Sequence, residues 1–211
     1  MVRVSSTSEI RLRERETLLR LAKAGEYRDE DTGNHVIRMA KYSRIIAEAM
    51  GMSQEEANVI ELAAPMHDIG KIGVPSDLLM RPGRLNAKER RLVERHPEIG
   101  ARLVEPLGIA TEISAVIRHH HEWWDGSGYP RGQKGREIPL AARILCICDV
   151  YDALTSKRVY KAVLEHDVAK AIIINEKGAQ FDPAVVDAFE RGEDEIVGIR
   201  HLYHDEAVGA V

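Results

Sequence analysis

The chain of 211 residues is 44% apolar and carries 30 basic and 34 acidic side chains, a net charge of −4. That balance excludes a surface built to coat nucleic acid, which is normally basic. No apolar run nears the ~20 residues that cross a bilayer, so no membrane partner is expected. The amino-terminus lacks the apolar core of a signal peptide. Cys146 and Cys148 stand two apart on what reads as a helix, where their side chains diverge, so a reducing, cytoplasmic setting is expected. The unusual number is nine histidines, several beside carboxylates.

The periodicity is helical almost throughout. Residues 8–27 are charged, with Ile10, Leu18, Leu21 and Ala24 as apolar positions. They read as a leading linker helix, either one strand of a parallel pair or a charged helix packed on its own domain. His35, Met39, Tyr42, Ile46 and Met50 form a stripe that predicts a helix over 35–50, stopped at Gly51. Ser53 and Glu56 make a capping box opening a helix that runs to about His67. Asn86, with Glu89 three residues on, caps a short helix, and Pro97 suits the first turn of another. Ile113, Val116, Ile117 and His120 form the next stripe, and a glycine-rich loop covers 125–135. Pro139 opens a long helix marked by Leu140, Ile144, Ile147, Tyr151 and Leu154. Val168, Ala171 and Ile172 mark one more, ended at Gly178, and Pro183 opens a last turn or two through Phe189. The stretch after Gly192 is polar, acidic at first, and receives no structural assignment. With no hairpin signal, the expected fold class is all-α.

The chemistry centres on His67-Asp68. Neighbours on a helix diverge by ~100°, so this pair cannot clamp one metal alone but can offer a ligand to each of two. His35, His96, His120, His121 and Asp149 lie on or beside apolar stripes. Any single histidine there is more often a satisfied core residue. Five histidines and two carboxylates converging on one core would carry a large desolvation cost unless a cation collected their lone pairs. Cys146 and Cys148 flank no base and read as small helix packers. His119 reads as a polar helix-face residue, and His166, His201 and His204 as surface or tail histidines.

His67-Asp68-Ile69-Gly70-Lys71-Ile72-Gly73 resembles the HD signature of the HD phosphohydrolase superfamily. His120-His121-Glu122-Trp123-Trp124-Asp125-Gly126-Ser127-Gly128-Tyr129-Pro130 resembles the second signature of its HD-GYP branch, and the stretch from Asp149 to Arg158 its third. The match runs unbroken over about residues 27–189. The resemblance implies an HD-domain helical bundle: a leading helix over 1–26, the HD-GYP domain over 27–192 and a carboxy-terminal tail over 193–211.

It also implies a centre of two or three metals, commonly iron or manganese. Carried over position by position, His35, His67, Asp68, His96, His120, His121 and Asp149 would be the ligands, with Asp68 bridging. Asp31 stands where three-metal members carry a glutamate. Its shorter arm predicts two filled sites and a weak or empty third, and a carboxylate at the helix opening near Thr32 is the other reading. Asp68 and Lys71 would be catalytic, the Lys71 ammonium stabilising charge at the scissile phosphate, with Gly70 and Gly73 permitting the turn that brings it back. Tyr129, with Trp123 and Trp124, offers flat surfaces on which purines stack. Asp152, Arg158 and Lys161 would hold the nucleotide, although Val159 replaces the family's proline and loosens that turn.

The expected function is therefore hydrolysis of cyclic di-GMP to pGpG, and on to GMP, by a hydroxide that two nearby cations generate at neutral pH. The alternatives are a non-catalytic domain that senses the messenger or docks a cyclase, and an HD hydrolase of another nucleotide. The resemblance further implies a receiver or other sensor module at the amino-terminus and a cyclase partner at Gly128-Tyr129-Pro130. Pairing of the leading helices would give a homodimer.

Overall fold

The stripe of His35, Met39, Tyr42 and Ile46 buries one face of helix α1 (Gly33–Ala49), each of these residues being at most 1% exposed. The structure is a computed structural model and describes residues 16, 20, 22, 33–81, 83–105, 111–156 and 163–204. With its apolar face turned inward, α1 lies across four partners: α2 (Gln54–Ala63), α7 (Leu140–Thr155), α9 (Pro183–Arg191) and α10 (Glu193–Leu202). Between these run α3 (Ser76–Leu79), α4 (Ala87–Val93), α5 (His96–Val104), α6 (Thr111–His119) and α8 (His166–Asn175). The described residues form no strand, so the fold is the expected all-α bundle. Among them, no helix is long and apolar enough to cross a membrane.

Local chemistry sets the boundaries. Ser53 and Asn86 both form complete capping boxes, with Glu56 and Glu89 as the returning carboxylates. Gly51 follows α1 at φ 79, a conformation that other residues rarely adopt. The helix expected to reach His67 ends instead at Ala63 and tightens into a 3-10 turn, Ala64–Met66. Pro65 explains this, because it has no N–H to donate back along an α-helix. A second 3-10 turn, Ile69–Gly73, packs against α5.

Two expectations change. On α8 the buried positions are Ala169 and Ile173, whereas Val168 and Ile172 face outward. The run Val168 to Ile174 is apolar on every side except Lys170, so its periodicity could not say which face turns in. The stretch after Gly192, expected as a carboxy-terminal tail and given no structural assignment, begins with α10, which seats Ile196 in the core against α1. The leading helix lies outside the described residues except at Glu16, Arg20 and Ala22. These three are helical, and Ala22 is buried with the core.

Candidate metal centre

Four imidazoles face one another at the meeting point of α1, α5, the end of α6 and the turn after α2. In each, the Nδ1 atom is already committed. His67 Nδ1 lies 2.8 Å from the Ala64 carbonyl, His96 Nδ1 2.9 Å from that of Val93, and His120 Nδ1 2.7 Å from that of Ile117. His35 Nδ1 lies 2.8 Å from Asp152 Oδ2. Carbonyl and carboxylate oxygens only accept, so Nδ1 carries the proton and donates. In the neutral ring that leaves Nε2 as a lone pair aimed inward. Burial lowers the pKa of His120 and lowers that of His121 further, which favours their neutral forms.

These lone pairs crowd together. His96 Nε2 and His120 Nε2 are 3.3 Å apart, with Asp68 Oδ1 3.0 Å from the first and 3.7 Å from the second. His67 Nε2 lies 3.3 Å from Asp68 Oδ2 and 4.0 Å from Asp149 Oδ1. Ligand atoms of Asp68, His96, His120 and His121 fall within 4.8 Å of one another, as do those of His35, His67 and Asp149. Asp68 belongs to the first group and touches the second through His67. Lone pairs packed this closely in a buried site repel unless a cation sits among them, so the donor set fits metal ions.

Asp68 is only 8% exposed. Burial pushes its carboxyl upward, but the Lys71 ammonium, 2.7 Å from Oδ2, and the surrounding imidazoles bring it well below the usual carboxylate range. Lys71 thus lies beside the centre. Gly70 serves a different purpose from a left-handed turn. A Cβ there would fall 1.9 Å from the backbone oxygen of His96, so only glycine lets the HD turn press against α5.

Asp152 requires a correction. Expected at the nucleotide, it is 1% exposed, with both oxygens engaged inside the protein. Arg38 Nε donates to Oδ1 at 2.6 Å and Arg38 Nη2 to Oδ2 at 2.9 Å, beside the contact to His35. It orients an imidazole and is shielded from ligands. Arg38 was missed by the sequence reading, although an arginine three residues after His35 on a buried stripe was a usable signal. Glu122 has a role that its motif alone does not display. Buried at 1% exposure, it accepts the backbone N–H groups of Arg131 and Gln133 and so pins the glycine-rich loop.

Of the three aromatics expected near the histidine pair, only Tyr129 is there. Its ring lies 4.7 Å from that of His121 and 6.4 Å from that of His96. Trp123 packs on the hydrophobic core, and Trp124 lies beneath the Arg143 guanidinium at 5.7 Å. His119 is buried at 7% exposure and does not form an exposed polar face. His166 is no surface histidine: it accepts from the Tyr151 hydroxyl and donates to Glu193, joining α7 to α10. Cys146 and Cys148 are free, buried thiols, and burial pushes that of Cys146 up to about 12, so both are inert packers. Asp31, Arg158 and Lys161 lie outside the described residues.

An all-helical bundle whose buried His/Asp groups could hold metal ions defines a class of metal-binding helical domain. The profile of the HD domain family matches residues 16–185. The protein named "Cyclic di-GMP phosphodiesterase response regulator RpfG", from Xanthomonas campestris, is 45% identical over 195 residues, covering 92% of this chain and 52% of that protein. "3'3'-cGAMP-specific phosphodiesterase 2" of Vibrio cholerae is 37% identical over 197 residues, covering 91% of this chain and 37% of that protein. A crystal structure of a cyclic GMP-AMP-specific phosphodiesterase from V. cholerae superposes with a TM-score of 0.69 at 20% identity, covering 92% of this chain and 51% of that one. The chain belongs to the HD domain family. It spans about half the length of the first curated relatives it matches.

Proposed function

We propose that this domain is a metal-dependent phosphodiesterase that hydrolyses cyclic di-GMP to pGpG, and on to GMP, with two divalent transition-metal ions, iron or manganese. The observation that carries the reading is the convergence of Nε2 lone pairs around Asp68, each fixed by an acceptor behind Nδ1. His96, His120, His121 and Asp68 would hold one ion and His35, His67 and Asp149 the other, with Asp68 bridging. When bound, such ions act as Lewis acids toward water and the phosphodiester.

The chain's own residues supply the rest. The Lys71 ammonium, held beside Asp68, offers positive charge to a phosphate oxygen as negative charge develops there. Asp152 holds the His35 ring in its ligating orientation. Tyr129 walls one side of the centre, and burial, followed by the carboxylates of Asp68 and Asp149, raises its pKa, keeping it a neutral hydroxyl. Arg158 and Lys161 belong to this reading as nucleotide contacts, and Asp31 as a ligand to a weak third ion. Docking of a cyclase at the Tyr129 loop, a sensor module before the domain and pairing of the leading helices also belong to it. So does a reducing, cytoplasmic setting, which the two free thiols support.

The relative named for 3'3'-cGAMP supports a second reading, in which the substrate is a mixed cyclic dinucleotide. Turnover of cyclic di-GMP and 3'3'-cGAMP by protein reconstituted with Mn²⁺ or Fe²⁺ tests both. Release of pGpG or GMP is expected. Metal-loaded protein that binds cyclic di-GMP without cleaving it would instead make the domain a sensor.

A further inference from the structure

Beyond Tyr129 the surface opens into a cleft of about 510 Å³ lined by Arg84, Leu85, Arg90, Val93, Glu94 and Tyr129. That volume lies within the range of small-molecule sites. The cleft shares parts with the metal centre. Tyr129 stacks against His121, and Val93 provides the carbonyl that accepts from His96 Nδ1. A ligand anchored at the metals can therefore extend into the cleft without leaving the protein surface.

The lining is chemically uneven. Leu85 and Val93 are half-buried apolar side chains, and Tyr129 adds a flat ring. Arg90 Nε donates to Glu94 Oε1 at 2.6 Å, which holds that carboxylate in place. Glu94 Oε2 and the exposed Arg84 guanidinium have no hydrogen-bond or ion-pair partner among the described residues. The cleft thus presents a fork of donors and a fixed acceptor around an apolar slot.

Resting on the cyclic-dinucleotide reading above, we infer that this cleft holds the guanine base remote from the scissile phosphate, with Arg84 and Glu94 as its specificity-determining residues. Arg84 donates to guanine O6 and N7, a pairing that arginine geometry favours. Glu94 Oε2 accepts from guanine N1–H and the 2-amino group. Adenine keeps the N7 acceptor but places an amino donor where Arg84 meets O6, and an N1 lone pair where Glu94 meets N1–H. The O6 and N1 contacts become repulsions and the 2-amino contact is lost, so the cleft separates guanine from adenine by sign as well as by fit. Arg90 acts as a positioning residue through Glu94.

The test compares kcat/KM for cyclic di-GMP and cyclic di-AMP in manganese-loaded protein, for the parent and for Arg84→Ala and Glu94→Ala. The parent is expected to prefer cyclic di-GMP, and each variant to lower that preference by roughly 10- to 100-fold at unchanged metal content. Thermal shifts with GMP and AMP give a readout free of turnover: GMP should stabilise the parent more than either variant, and AMP should stabilise the variants no less than the parent. An active parent whose variants keep the parental preference and GMP response overturns the cleft assignment alone. A parent that cleaves neither cyclic dinucleotide overturns the phosphodiesterase reading, and this inference with it.

Discussion

Arg38 and Asp152 form a buried two-point ion pair, with Nε 2.6 Å from Oδ1 and Nη2 2.9 Å from Oδ2. Both side chains are 2% exposed, and the same carboxylate faces His35 Nδ1. Arg38→Met would leave Asp152 buried without that cation. A loss of about 3–5 kcal/mol is expected, measurable as a lower denaturant midpoint. Asp152→Asn should keep the fold but loosen the His35 ring, weakening metal affinity roughly 10- to 100-fold in competition with a chelator.

Catalysis and scaffolding separate at the HD turn. Asp68→Ala should abolish hydrolysis and lower the metal content, because Asp68 contacts both ligand groups. Lys71→Ala should retain the metals and slow turnover by roughly 10²-fold, as for loss of one electrostatic donor. Turnover at the parental rate in Lys71→Ala would sink its assigned role.

Glu193 gives the clearest acid dependence. The hydrogen bond from Lys170 and then that from His166 lower its carboxyl from the ordinary 4.5. A carboxyl depressed in the folded state stabilises fully above its unfolded pKa, and that stability is lost as the pH falls through the folded value. Glu193→Gln should therefore cost roughly 0.5–1 kcal/mol at pH 7 and progressively less below about pH 4.5. Urea titrations at pH 7 and pH 3 measure the gap, and an undiminished gap at pH 3 would contradict the assignment.

Two glycines should respond with opposite signs. A Cβ on Gly128 would meet the backbone of His121 at 2.4 Å and that of Trp123 at 2.3 Å, so Gly128→Ala must lift Tyr129 off the centre. It should destabilise by about 1–3 kcal/mol and lower kcat/KM. Gly198, inside α10, has nothing within 4 Å of such a Cβ. Gly198→Ala should stabilise by roughly 0.5–1 kcal/mol, read as a higher Tm.

The helices and the histidine cluster were legible because each left a local signature. Caps such as Ser53 and Asn86 announce themselves within four residues, and the stripe from His35 to Ile46 marks its own buried face. The support behind the cluster was less visible. Asp152 lies 117 residues from His35 in the chain, and nothing in its neighbours distinguishes a carboxylate that holds a ring from one that meets a ligand. The same holds for Glu122, whose partners are backbone N–H groups with no residue identity to read. The cleft beside Tyr129 was hidden for another reason: Arg84 and Glu94 sit among the charges that flank an ordinary exposed helix, Ala87–Val93, and only folding turns them toward one slot.

The carbonyl of Tyr203 accepts from Arg38 Nη1 at 2.7 Å, and that of His204 accepts from Asn34 Nδ2 at 3.1 Å. On the ribosome, where chains emerge amino-terminus first, all seven expected ligands precede these oxygens by more than fifty residues. The centre's inventory is thus complete well before the last brace on its first helix exists. A nascent domain halted between residues 156 and 200 would carry every ligand while Arg38 still lacked the carbonyl that completes its setting. Order of synthesis, as well as order of contact, separates possession of the ligands from their final alignment.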